Sequence, residues 1–470
     1  MLFNSLQFFV FFIIVTIAYF NIHYRYRWIL LLLASCYFYM AFVPVYILIL
    51  GCTIVIDYFA GILIENSNDK NKKIFLIVSL VVNIGVLAVF KYYNFFLHNL
   101  SKISFLSDFT GSLSYLKILL PIGLSFHTFQ AMSYTIEVYR GRQKAEKHFG
   151  IYALYVMYYP QLVAGPIERP QNLLTQMHRE NIFEIERVKT GLIQMIWGFF
   201  KKIVIADRLS LLVDHAYLDI NSSNGLTLLV ATIFYSFQIY CDFSGYADIA
   251  IGASKIMGID LMTNFKSPYF SKSISEFWKR WHISLSTWFK DYIYIPLGGN
   301  KVNKIRWYFN LIIVFVISGL WHGANWTFIV WGSLHGFYLV FAIEKEKWKQ
   351  KLPFKVRLPK FINKMIDILV TYLLITFAWI FFRSYDVRWA LKIINKIGHL
   401  SFREVLLSPY NIFEFLFCIS LIIMLVIKEK WFFQIKTHNN LSFAFLLSFF
   451  ILFIYVFGVF NQNQFIYFQF

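Results

Sequence analysis

Residues 308–341, YFNLIIVFVISGLWHGANWTFIVWGSLHGFYLVF, hold no lysine, arginine, aspartate or glutamate over 34 positions. About 20 apolar residues in a helix cross the hydrocarbon of a bilayer, so this run reads as a membrane span. It also carries His322, His335 and Asn325, which lipid does not welcome. Working outward, comparable apolar runs fall near 2–20, 28–43, 45–64, 74–97, 115–137, 190–213, 226–252, 362–383, 411–427 and 441–460. The pattern predicts an all-α polytopic membrane protein of about eleven spans. Shorter apolar stretches such as 151–164 read as re-entrant or interfacial.

Composition agrees. Of 470 residues, 59% are hydrophobic and only 15% charged, and the mean hydropathy is +0.58. Soluble domains are about a quarter charged. Backbone polar groups in lipid must be satisfied internally, which helices achieve. The aromatic share, 21%, suits belts at the two interfaces. The net charge of +19 comes from lysines and arginines in short loops between apolar runs. That is the positive-inside pattern rather than a nucleic-acid surface. A basic cytoplasmic face also suits anionic lipids or an anionic substrate.

Cys36, Cys52, Cys241 and Cys418 each lie in apolar sequence, with no CxxC among them, and read as packing residues. The run 8–20 lacks a basic lead and a small-residue cleavage site, so it reads as the first membrane helix. The basic loops Arg25–Arg27, Lys70–Lys73, Arg140–Lys147, Lys345–Lys360 and Lys428–Lys436 are expected on the cytoplasmic side. The polar loop 99–114, with Ser101, Ser104, Ser107, Ser112 and Ser114, and the loop 384–410 are expected opposite, with both termini outside. The second of these is itself basic, with Arg388, Lys392, Lys396 and Arg403. The chain divides into an N-terminal helical part (1–119), a core (120–341) and a C-terminal helical part (342–470).

The core interrupts its apolar sequence with Glu168, Arg169, Lys201, Lys202, Asp207, Asp242, Asp248, Lys279 and Arg280. Charge at membrane depth is tolerated inside protein or beside water, so the site is expected here. Segment 271–295, SKSISEFWKRWHISLSTWFKDYIYI, reads as one amphipathic interfacial helix. Phe277, Trp281, Leu285, Trp288 and Tyr292 form its apolar stripe. His282 stands beside the stripe, with Trp278 and Phe289 as helical neighbours; on pattern alone a structural histidine is the simpler reading. In segment 318–336, SGLWHGANWTFIVWGSLHG, a single straight helix would gather Ser318, Gly319, Asn325, Trp326, Ser333 and Gly336 around His322, with Trp321 beside it. His335 would point to the other side. A small, polar face of this kind has two readings: close helix packing or a tunnel wall with a titratable group.

A free imidazole titrates near 6.5, so a neutral ring at pH 7 can take the proton of a sugar hydroxyl as that hydroxyl attacks a carbonyl. Asp242 and Asp248 are carboxylates in an apolar run, paired structurally or helping to build the site. GxSxG, HExxH and P-loop patterns are absent, so hydrolase, metalloprotease and ATP-driven readings lose their usual support, and no metal is expected.

Five motifs carry a family resemblance: LPIGLSFHTFQAMSYTIEVYRG (120–141), YPQLVAGPIERP (159–170), YCDFSGYADIAIG (240–252), FWKRWHISLSTWFKDYIYIPLGGN (277–300) and SGLWHGANWTFIVWGSLHG (318–336). In this order they resemble the membrane-bound O-acyltransferase family, alginate O-acetyltransferase-type branch, as does the ending FIYFQF. The resemblance implies membrane helices around a central tunnel, with the acyl donor entering from the cytoplasm and the acceptor hydroxyl from the other side. It implies His322 as the essential catalytic residue and His282 as a second family position, with His282 or nearby donors stabilising the thioester carbonyl as it becomes negative. His127 stands where the family has Phe or Tyr and reads as a substitution beside the cavity. The co-substrate implied is acyl-CoA, acetyl-CoA in particular, or another acyl thioester, with no permanently bound cofactor. The implied partners are membrane lipid, a polysaccharide acceptor and an extracytoplasmic acetyl-transfer protein. Two rivals stand beside this reading. One is D-alanyl transfer to teichoic acid from a carrier-protein thioester; the other is a flippase of lipid-linked sugars.

Overall fold

The computed structural model describes residues 1–103, 113–116, 121, 123–163, 165–351, 359–401, 403–409, 411–431, 439–460 and 465–466. Several sequence readings therefore fall outside the described residues. They are Ser104, Ser107 and Ser112, part of the 120–141 motif (Leu120 and Ile122), Ala164, the centres of the basic loops 345–360 and 428–436, and most of FIYFQF. The regular secondary structure among the described residues is all helical, with no strand among them. The chain folds as two compact units that interleave in sequence.

The first unit comprises residues 1–197, 246–262 and 437–447. Its long helices are Tyr46–Asn66 and Asp69–Leu87, the latter continuing through a π turn to Leu100, packed with Leu124–Tyr139. Their shared interior is polar. Asp57 accepts from Ser79 Oγ at 2.6 Å and from Asn83 Nδ2 at 2.9 and 3.0 Å, and Ser79 Oγ lies 3.0 Å from Thr135 Oγ1. His127, fully within this helix group, lies 3.5 Å from Thr53 Oγ1. Glu168, in the 159–170 motif, turns inward to accept from the Met262 N–H and from Asn172 Nδ2, both at 2.6 Å.

The second unit comprises residues 198–245, 263–436 and 448–470. Its centre is a helical hairpin, Lys304–His322 followed by Trp326–Lys351. Gly319 faces Phe328, Phe315 faces Gly332 and Ile312 faces Gly336, an antiparallel order that ends with the Lys304–Glu344 ion pair at 3.0 Å. Helix Lys360–Arg383 packs on this hairpin, and the amphipathic helix Val387–Gly398 follows.

Seven helices among the described residues are long and apolar enough to cross a membrane, against the eleven or so spans read from sequence. The run 308–341 adds a span, because Gly323-Ala324-Asn325 reverses the chain and makes it two antiparallel helices. The runs 2–20, 28–43, 115–137, 190–213 and 411–427 account for the shortfall. Helices Leu6–Asn21, Arg27–Met40 and Leu124–Tyr139 have only 16, 14 and 16 residues, and helix Ile185–Phe199, which continues through a π turn into Asp207–Leu218, carries Lys201, Lys202, Asp207 and Arg208.

Candidate active site

His282 and His322 both belong to the second unit, and they reach one another's neighbourhood through the indole of Trp321. The ring centroid of Trp321 lies 6.3 Å from that of His282 and 5.0 Å from that of His322.

The local sequence explains each placement. Segment 271–295 is not the single amphipathic helix its periodicity predicts. Ser273 caps a first short helix, Ile274–Trp278, by accepting from the Glu276 N–H, and Glu276 reaches back to the N–H of Lys272, the residue before the cap. The chain then breaks at 279–282. His282 takes a left-handed backbone conformation (φ 43°, ψ 56°), and a second helix, Ile283–Phe289, begins after it. The apolar stripe is real: Phe277, Trp281, Leu285 and Trp288 are all buried. The break nevertheless separates the predicted neighbours. Trp278 goes to His335, whose Nδ1 accepts from Trp278 Nε1 at 3.4 Å. His282 instead meets Phe243 edge-on at 4.6 Å.

His322 ends the first hairpin helix and is buried at 3% exposure. Its ring stands perpendicular to Trp331 at 4.9 Å and contacts Phe382 at 5.3 Å. Glycine makes this closeness possible. A Cβ on Gly323 would lie 2.1 Å from the Phe328 ring, and one on Gly319 would lie 2.2 Å from the Phe328 carbonyl oxygen.

The hairpin overturns the helical wheel drawn for 318–336. His335 was expected to face away from His322, yet Trp331 touches both imidazoles at 4.9 Å, because the second histidine lies on a returning helix. Ser318 is buried on the first helix. Asn325 caps the second helix, accepting from the Thr327 N–H at 3.1 Å, and donates to the Tyr385 carbonyl at 2.8 Å. Trp326 is largely exposed at the turn. Ser333 donates to its own helix at the Ile329 carbonyl, 2.8 Å away. The structure therefore gathers His282, Trp321, His322, Trp331, Trp278 and His335 into one aromatic box, and leaves Asn325 and Trp326 on the hairpin turn.

Asp242 sits beside this box in sequence but serves an ion cluster. Lys202 Nζ lies 2.6 Å from Asp242 and 2.7 Å from Asp207, and Asp242 also accepts from the Ile466 N–H at 2.8 Å. Its neighbour Phe243 is the residue that contacts His282. Asp248 belongs to the first unit, where Gln194 donates to it at 3.1 Å.

Asn264 was not singled out by sequence reasoning. Its Oδ1 lies 3.3 Å from His282 Nδ1 and accepts from Ser284 Oγ at 2.8 Å. A sequence signal existed only as a polar residue in the irregular stretch before 271; the left-handed turn that it clamps has no periodicity to read.

Three buried imidazoles, His282, His322 and His335, thus share one aromatic box, with His322 at the end of an apolar hairpin helix. Comparison with known proteins gives the class: residues 16–385 match the membrane-bound O-acyltransferase family, and the chain belongs to it. The chain is 39% identical over 391 residues to a Pseudomonas aeruginosa protein described as "Probable alginate O-acetylase AlgI", covering 82% of this chain and 72% of that one. It is 36% identical over 392 residues to the peptidoglycan O-acetyltransferase of Helicobacter pylori, covering 78% and 72%. To the teichoic acid D-alanyltransferase of Bacillus subtilis it is 29% identical over 274 residues, covering 56% and 67%. The protein is thus a multi-pass membrane O-acyltransferase enzyme. An acyl donor is its co-substrate, as the class requires.

Proposed function

We propose that the enzyme moves an acetyl group from a cytoplasmic thioester, acetyl-CoA, to a hydroxyl of an extracytoplasmic polysaccharide, directly or through a separate extracytoplasmic transfer protein. The observation that carries this reading is His322, a buried imidazole in an aromatic box at the end of a helix that starts among Lys301, Lys304 and Arg306. The helix has 19 residues and rises about 28 Å, close to the hydrocarbon thickness of a bilayer. A basic, cytoplasmic start therefore puts His322 toward the opposite face, where a polysaccharide would arrive.

The chemistry is one displacement. The hydroxyl oxygen bonds to the thioester carbonyl carbon, and His322 takes the hydroxyl proton. The C–S bond then breaks, and the proton passes to the leaving thiolate. Holding both substrates in line supplies much of the rate. His282, one indole away, is the second imidazole at the reacting atoms. The names of the O-acetylating relatives, at 36–39% identity, support acetyl over D-alanyl as the acyl group.

The test uses purified protein in detergent, where acyl transfer is scored and transport is not. Acetyl-CoA and an oligosaccharide acceptor should give O-acetylated product, and His322→Ala should lower turnover at least ~100-fold, the usual scale for a lost general base. A His322→Ala protein that is folded and turns over like the native enzyme would sink the assignment. Turnover only with a D-alanyl carrier thioester would move the reading to the teichoic-acid type.

A further inference from the structure

The His282 turn is clamped from one side by one residue. Asn264 Oδ1 lies 3.1 Å from the Ser284 backbone nitrogen, 2.8 Å from Ser284 Oγ and 3.3 Å from His282 Nδ1. The Asn264 carbonyl oxygen accepts from the Ile283 N–H at 3.0 Å. The Ser284 backbone N–H can only donate, so the Asn264 side-chain atom facing it is Oδ1, and the amide orientation is fixed. The atom opposite His282 Nδ1 is therefore an acceptor, and Nδ1 carries the proton. A neutral imidazole has one N–H, so the lone pair lies on Nε2.

The surroundings hold the ring to this arrangement. Phe243 stands perpendicular to it at 4.6 Å and Phe265 lies alongside at 6.5 Å. His282 is one of two non-glycine residues with positive φ among the described residues. A side chain kept in that conformation marks a position that the neighbours over-determine.

We propose that Asn264 is a positioning residue that fixes His282 as the Nδ1–H tautomer, so that Nε2 accepts a hydrogen bond from a hydroxyl of the acceptor sugar. The inference rests on the reading of His322 and His282 as the reacting site. It reverses the role that family resemblance implies for His282, because a lone pair on Nε2 repels a carbonyl oxygen that is becoming negative. The charged ring, with N–H on both nitrogens, is disfavoured: burial lowers the His282 pKa to about 3. No bond is made or broken at His282; the reacting hydroxyl's proton still goes to His322.

Asn264→Asp separates the two roles. A carboxylate offers oxygen to the same donors and adds a negative charge that favours the imidazolium, so the His282 pKa rises. As pH falls through that raised value, Nε2 gains a proton and stops accepting. In full-length Asn264→Asp enzyme in detergent, the KM for an acceptor oligosaccharide should rise at least tenfold between pH 8 and pH 6. The KM for acetyl-CoA should stay constant, and the native enzyme should be flat over the same range. A flat acceptor KM in Asn264→Asp, or a kcat that climbs as pH falls, overturns the proposal; the second result is what an oxyanion donor at His282 would give. His282→Gln keeps the readings apart, since native turnover in that variant would remove His282 from the site whatever Asn264 does. If Asn264→Asp does not fold, the native protein decides. In its 15N spectrum, with His282 assigned by difference from His282→Gln, Nδ1 should be the protonated nitrogen and Nε2 the bare one, and the reverse would refute the assignment.

Discussion

At the scale of single residues, Lys202 carries more weight than its place in an apolar run suggests. Its ammonium lies between Asp207 and Asp242, and all three side chains are buried. Two carboxylates about one cation are held together by that cation and by the Ile466 N–H on Asp242. Removing the cation leaves like charges facing each other in a low-dielectric interior. Lys202→Met should therefore lose ~3–5 kcal/mol, the usual cost of breaking a buried pair. A triple variant, Lys202→Met with Asp207→Asn and Asp242→Asn, should recover much of that loss, because no charge then remains to be compensated. Thermal unfolding in detergent, followed by size-exclusion, measures both. Equal melting of the single and triple variants would show that the cluster is not electrostatic in origin. The same geometry redefines Asp242: it anchors the helix that presents Phe243 to His282, so its substitution should act on turnover through ring position.

At the scale of elements, the hairpin Lys304–His322 and Trp326–Lys351 makes the site. Its two helices meet backbone to backbone. A Cβ on Gly332 would lie 2.2 Å from the Phe315 carbonyl oxygen, and one on Gly319 equally close to that of Phe328. Gly319→Val must part the helices just below His322. An overpacked contact costs ~1–3 kcal/mol, and the shift should cost more in turnover than in stability, because reacting atoms tolerate little displacement. A variant with native kcat and a lowered melting temperature would mean that hairpin spacing does not position His322. The helix-packing role of the small residues near His322 was legible, since Gly319, Gly332 and Gly336 bring the two hairpin helices into backbone contact. The reversal at 323–325 was not legible, because no charge or proline marks it, and a wheel drawn through it wrongly set His335 apart from His322. The break at His282 was hidden for the same reason. Lys279 to His282 fit a helical period in sequence, and the turn is fixed from the separate stretch 264–267, by Asn264 and by the Lys266 N–H on the Arg280 carbonyl at 2.9 Å.

At the scale of the whole molecule, the hairpin changes the expected topology. Read as one span, residues 308–341 would put Lys301 and Lys345 on opposite sides of the membrane. Folded as two crossing helices, they share a side, and Lys304, Glu344, Tyr308 and Lys347 tie the open end together. The charges favour this arrangement: Lys301, Lys304, Arg306, Lys345 and Lys347 then form one basic cluster, which the positive-inside bias assigns to the cytoplasm. Tyr385, tied to the hairpin turn by Asn325 and strongly exposed, belongs to the other side. Single cysteines at 301, 345 and 385, placed in a chain freed of its four native cysteines, test this with a membrane-impermeant maleimide. In right-side-out vesicles only position 385 should label; in inverted vesicles 301 and 345 should label together. Opposite labelling of 301 and 345 would mean that the hairpin does not cross. It would also remove the physical reason for placing His322 within reach of an extracytoplasmic hydroxyl, because the helix that carries it would no longer measure the bilayer from a cytoplasmic start.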